Sequence, residues 1–133
     1  MILGIHHVGI AVKDLETSVE SYRRTLGIVP THRERVDDQG VEEVLFEVGT
    51  SSIQLLGALG EETPVGRFLA ARGPGLHHVA YRVDDVAEAL SGLRNEGVRL
   101  VDEVPRRGSR DTMIAFVHPQ DMGGVLIELV QDS

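Results

Sequence analysis

A chain of 133 residues with a hydrophobic fraction of 41% suits one compact domain with a real core, and no apolar run approaches a membrane span. The formal net charge of −8 argues against nucleic acid as a partner, and the absence of cysteine excludes disulfides, thiolate metal sites and a cysteine nucleophile. Lys13 is the single lysine among the 13 basic residues, so an anionic ligand would have to be met by a local cluster of arginines.

In chain order, Ile5 to Val12 alternates as a strand, with His6, Val8, Ile10 and Val12 on one face and His7, Gly9 and Ala11 on the other. The bulky face predicts packing under a helix, while the small-residue face leaves room beside His7. The helix follows at once. Asp14 reads as its N-cap, Leu15, Val19, Tyr22 and Leu26 recur along one side, and Gly27 stops it. A weaker strand at Thr31 to Val36, a turn ending at Gly40, a strand from Val41 to Val48 and a returning strand from Ser52 to Leu56 complete a first module over residues 1–57. On the Val41 strand, Val44, Phe46 and Val48 share one face, and Glu43, Leu45 and Glu47 the other.

A connector over 58–75 carries a short helix, with Thr63 as N-cap and Pro64 at its first position, ended by Gly73-Pro74-Gly75. Residues 76–133 then repeat the order of the first module. A strand from His77 to Val83 leads into a helix capped by Asp85, with Glu88 three residues on. A strand near Arg99 to Val104, a basic loop Arg106-Arg107-Gly108-Ser109-Arg110, and a closing hairpin of Met113 to Val117 with Val125 to Val130 follow. The fold class expected is α+β, with two tandem βαβββ modules in a single domain forming a curved mixed sheet around a cup. The N-terminus lacks a basic segment followed by an apolar one, so the expected location is cytoplasmic.

The repeat is literal at its start. His6-His7-Val8-Gly9-Ile10-Ala11-Val12 returns as His77-His78-Val79-Ala80-Tyr81-Arg82-Val83, and Asp14, Arg23 and Gly27 return as Asp85, Arg94 and Gly97. Superposing the modules pairs His7 with His78, and Gln54 of Ile-Gln-Leu-Leu with Glu128 of Ile-Glu-Leu-Val. A lone histidine at a strand start is usually structural, and a polar residue in an aliphatic strand usually finds a local partner. Four such residues at matched positions point instead to a divalent metal. Imidazole, carboxylate and amide oxygen suit Mn, Fe, Co, Ni or Zn better than Ca or Mg, and four protein ligands leave two positions open in an octahedron. His6 and His77, on the opposite face, are expected to pack or to support the ligands. Glu43 either lies on the cup side or is an exposed acid on an edge strand. Arg72, Arg106, Arg107 and Arg110 are either solvated or a seat for an anionic ligand. His118, before Pro119, is expected to be structural, with a substrate contact as the lesser reading.

Three segments carry a resemblance that covers essentially the whole chain: His-His-Val-Gly-Ile-Ala-Val-Lys-Asp-Leu, Gly-Leu-His-His-Val-Ala-Tyr-Arg-Val-Asp-Asp, and Phe-Val-His-Pro-Gln-Asp-Met-Gly-Gly-Val-Leu-Ile-Glu-Leu. The chain resembles the vicinal oxygen chelate (glyoxalase/bleomycin-resistance/dioxygenase) superfamily, and its last segment resembles the epimerases of malonyl-type coenzyme A thioesters within it. The resemblance implies metal ligands at His7, Gln54, His78 and Glu128, with cobalt foremost among Co, Mn, Ni, Zn and Fe. It implies proton-transfer bases at Glu43 and Glu128, and a coenzyme A thioester substrate whose C2 is inverted between its (2R) and (2S) forms through a metal-stabilised enolate. It also implies a homodimer. The neighbouring readings are a glyoxalase-I-like isomerase and a metal-free ligand-sequestering protein of the same fold. A dioxygenase of the extradiol type, with two His and one Glu, is disfavoured by the fourth ligand at Gln54.

Overall fold

The computed structural model describes residues 2–132, which form the element order of two successive βαβββ modules with a helix between them. The first comprises β1 (Ile2–Ala11), α1 (Leu15–Leu26), β2 (Pro30–Val36), β3 (Val41–Val48) and β4 (Ser51–Ala58). After α2 (Pro64–Arg72) come β5 (Gly75–Val83), α3 (Val86–Asn95), β6 (Arg106–Arg107), β7 (Met113–Val117) and β8 (Ile127–Gln131). The expected α+β class and module order are thus present.

The chain divides into two compact units, one from His7 to His77, the other made of the residues up to His6 together with those from His78 onward. Strand β1 is therefore shared between units, and each boundary falls between the two histidines of a doubled pair.

In the unit from His7, the strands run in the order β2-β3-β4-β1, with β1 parallel to β4 and the other pairs antiparallel. One sheet face, carrying Val12, Val44, Phe46 and Leu55, packs under Leu15, Val19 and Tyr22 of α1. Asp14 caps that helix by accepting from the Thr17 backbone N–H at 2.9 Å, and Gly27 closes it in the left-handed region at φ 68°. Leu26, expected in the apolar stripe, is 64% exposed because the helix ends there, past the last residue it covers. On the other face, Ala11, Val36, Val41 and Leu56 are covered by Val65 of α2, with Phe68 and Leu69 beside it.

In the other unit the order is β5-β8-β7-β6, with β5 parallel to β8. Val83, Ala115, Val117, Ile127 and Leu129 pack under Val86 and Leu90 of α3, while Ala80, Ile114 and Val130 form a smaller cluster with Phe116 on the opposite face. The strand expected near Arg99 to Val104 does not form. Leu100 makes an isolated bridge to Val117, and the N–H groups of Val101 and Asp102 both donate to the carbonyl of Phe116, at 3.0 and 3.1 Å. Two donors converging on one acceptor break the even ladder a strand requires. The extended pairing appears later, at β6, where the sequence suggests a basic loop.

Candidate metal and acid-base site

The unit from His7 gathers three of the candidate residues on one sheet face. Alternation puts His7, Gly9 and Ala11 together, and the parallel register sets Gly9 beside Gln54 and His7 beside Ser52. Gln54 lies opposite Leu45 on β3, so Glu43, two residues away on that strand, is its diagonal neighbour. The Gln54 Nε2 donates to Glu43 Oε1 at 3.1 Å. Glu43 is 1% exposed, because β3 is flanked on both sides by β2 and β4 and is no edge strand. The reading of Glu43 as a surface acid is thereby removed. His7 and Gln54 are buried too.

The carboxylate of Glu43 can only accept, so it takes the amide N–H and turns the Gln54 oxygen away from itself. That Oε1 is buried and bonded to no donor. An orphaned acceptor in a protein interior is costly unless something positive meets it. A cation satisfies it directly, and the donor set of imidazole, amide oxygen and carboxylate fits a borderline divalent metal.

The other unit also holds a buried carboxylate, at the position that matches Gln54. His78 Nε2 and Glu128 Oε1 are 3.0 Å apart, and both side chains are almost wholly buried. Glu128 lies beside Ala80 on β5 and opposite Phe116 on β7. Phe116 meets the His78 ring edge-on, with centroids 5.7 Å apart. Each unit therefore couples one buried carboxylate to one ligand-type side chain: Glu43 to Gln54, and Glu128 to His78.

The remaining candidates lie elsewhere. His6 contacts Asp132 at 3.3 Å, and Asp132 also accepts from Arg82 at 3.0 Å. The Asp132 carboxyl, although burial works against its ionised form, is held below its ordinary value by these two partners. His77 packs edge-on against Phe68 at 5.0 Å. His77 thus packs against an aromatic ring, while His6 has a carboxylate partner. His118 accepts from the Gln120 backbone N–H at 3.0 Å through Nδ1, the structural role expected. Arg72 lies over Phe68, Arg106 over Phe116, and Arg107 is paired with Asp111 in solvent. Arg110 takes a left-handed conformation at φ 55°. Within the 106–110 segment, Arg106 and Arg107 thus have different partners. Asp102 and Phe116 were not singled out from the sequence; the hairpin register that puts Phe116 opposite Glu128 was the signal for the second.

The sequence signature of the Glyoxalase/Bleomycin resistance protein/Dioxygenase superfamily matches residues 6–116, and the chain belongs to that superfamily. Among its relatives, the ethylmalonyl-CoA/methylmalonyl-CoA epimerase of Cereibacter sphaeroides is 36% identical over 133 residues, spanning 98% of this chain and 99% of the relative. The crystal structure of methylmalonyl-CoA epimerase from Mycobacterium tuberculosis is similar at a TM-score of 0.95 and 46% identity, covering 99% of this chain and 89% of that one. A single-substitution variant of Streptomyces coelicolor methylmalonyl-CoA epimerase, in complex with 2-nitronate-propionyl-CoA, matches at a TM-score of 0.97 and 40% identity, covering 100% and 96%.

Proposed function

We propose that the chain is a metal-dependent epimerase that interconverts the (2R) and (2S) forms of methylmalonyl-CoA, using His7, Gln54, His78 and Glu128 as metal ligands. The observation that carries this reading is a pair of buried carboxylates, Glu43 in contact with Gln54 and Glu128 in contact with His78, with Gln54 and Glu128 at matched positions of the repeat. Relatives at 36% and 46% identity named for this activity support it. A divalent ion, cobalt foremost, would supply a Lewis acid for the negative charge that develops on the substrate's thioester oxygen.

The proton chemistry falls to the chain's own glutamates. Glu43 and Glu128 come from different modules, and inversion asks one to remove the C2 proton and the other to return a proton to the opposite side of the planar intermediate. Each transfer is worth roughly 10²–10⁴-fold in rate. Burial of Glu43 excludes water that would otherwise compete for the proton. The substrate's coenzyme A phosphates need cations at a distance from this chemistry, and Arg72, Arg107 and Arg110 are the candidates. A cytoplasmic homodimer completes the proposal. The test is C2 deuterium incorporation from heavy water into methylmalonyl-CoA, run with Co²⁺-loaded and metal-stripped protein. Exchange and inversion only in the loaded form is the expected result; equal rates in both would sink the metal reading, and neither reaction in either form would sink the epimerase.

A further inference from the structure

Arg106 and Arg107 are adjacent yet face different surroundings. Arg107 extends to an exposed ion pair with Asp111, whereas Arg106 lies directly across the β6–β7 ladder from Ile114. That register sets Arg106 on the face that carries Ile114, Phe116, Glu128 and Ala80. Its guanidinium carbon is 5.7 Å from the centroid of the Phe116 ring. The same ring meets His78 at 5.7 Å with an interplanar angle of 85°, and Phe116 is the cross-strand partner of Glu128.

Asp102 fixes this phenylalanine twice. Its Oδ2 accepts from the Phe116 N–H at 2.8 Å, and its own N–H donates to the Phe116 carbonyl at 3.1 Å. Its Oδ1 is 3.3 Å from Arg106 Nε. That nitrogen is buried and has no directed hydrogen bond, so the guanidinium is held by charge attraction and by the ring face. The irregular course of the chain after α3, which prevents a strand there, is what brings Asp102 to this position.

We propose that Asp102, Arg106 and Phe116 form a positioning brace for His78 and Glu128, and that Arg106 acts through this brace rather than as an anchor for coenzyme A phosphates. The inference rests on the epimerase reading above. A ligand imidazole and a proton-carrying carboxylate both need fixed orientation, since small misplacements are expensive in rate. The Phe116 ring is an aromatic wall against His78, and a cation over its face resists the ring's rotation. A phosphate anchor works otherwise: it binds ground and transition states alike and shows only in KM.

The experiment compares wild-type protein with Arg106→Met, Arg106→Lys, Phe116→Leu and the Arg106→Met/Phe116→Leu pair. For each, Co²⁺ affinity is measured by competition with a chromophoric chelator, the visible spectrum of the Co²⁺ form is recorded, and kcat and KM are determined with methylmalonyl-CoA. Arg106→Met and Phe116→Leu are each expected to weaken Co²⁺ binding about 3–10-fold, as loss of one aromatic or cation–ring contact implies. Both should perturb the spectrum and lower kcat while KM stays within about twofold. Arg106→Lys should recover part of the loss, and the double variant should be no worse than Phe116→Leu alone, because the two residues act in series. A raised KM in Arg106→Met, at unchanged kcat and Co²⁺ affinity, overturns the brace in favour of phosphate binding. Should Phe116→Leu not fold, the Arg106 variants decide by the same split. Wild-type protein that neither binds Co²⁺ nor epimerises removes the reading beneath the brace, whereas indifferent variants of a working enzyme remove the brace alone.

Discussion

Gln54 faces two demands at once, and its amide meets both because its two ends differ. Its nitrogen holds Glu43 and its oxygen is left for a cation, a division that a glutamate at the same place would not provide. If Glu43 is a proton-transfer base and no ligand, Glu43→Gln should retain bound metal while kcat falls by about 10²-fold or more. One epimer should still exchange its C2 hydrogen through Glu128 without inverting, as followed by mass spectrometry in heavy water. Wild-type inversion in that variant would return Glu43 to a structural role. His78→Ala should strip the metal, whereas His77→Ala, which loses a ring contact with Phe68, should keep it, as elemental analysis will tell. Much of this was legible from the repeat: the four proposed ligands and the packing role of His77. The depth of Glu43 was not, since alternation assigns a face but does not say that β2 will cover the strand's outer edge.

At the scale of elements, α2 is held by close backbone approach. A Cβ added at Gly66 would lie 2.1 Å from the carbonyl oxygen of Gly60, with backbone and no flexible side chain in the way. Gly66→Ala should therefore destabilise the protein by about 1–3 kcal/mol in a denaturant melt, a value typical of overpacking. An unchanged midpoint would mean that the 60–61 turn yields freely. Helix α1 is held by its cap, and Arg33 of β2 bridges its Glu16 to Glu42 of β3 through two exposed ion pairs. The Asp14 carboxyl is lowered chiefly by the hydrogen bond from the Thr17 N–H. A lowered folded-state value means that its stabilisation is present above the ordinary carboxylate range and is lost as pH falls through the lowered value. Protection factors of the first-turn amides of α1, corrected for the intrinsic pH dependence of exchange, should accordingly fall on acidification, and an Asp14→Asn variant should lose that pH dependence. Caps, glycine stops and helix faces were readable because they are local. The segment from Arg99 to Val104 has the pattern of a strand and forms none, because its course is set by the contact of Asp102 with Phe116, 14 residues on, and no local pattern encodes that.

For the molecule as a whole, the ion proposed for His7, Gln54, His78 and Glu128 would link metal binding to folding. An ion bound only by the folded chain adds RT ln(1 + [L]/Kd), about 2.7 kcal/mol at a hundredfold excess over Kd. Co²⁺ should therefore raise the melting temperature, and His7→Ala and His78→Ala should each abolish most of that rise. A full Co²⁺ shift surviving either substitution would place the ion elsewhere.

The unit boundaries between the paired histidines carry a consequence for how the chain is made and how it can be cut. Residues 2–6 leave the ribosome ahead of the unit that follows them, yet their own unit is complete only when the residues from His78 onward have emerged. The opening of β1 thus waits through the whole synthesis of the unit it precedes. Rejoining the two ends of this chain through a linker and opening it ahead of Gly75, where β5 begins, would remove that delay, because residues 2–6 would then follow directly on the stretch that completes their unit. Such a permutant should fold at least as readily as the natural order, with fewer long-range closures to make.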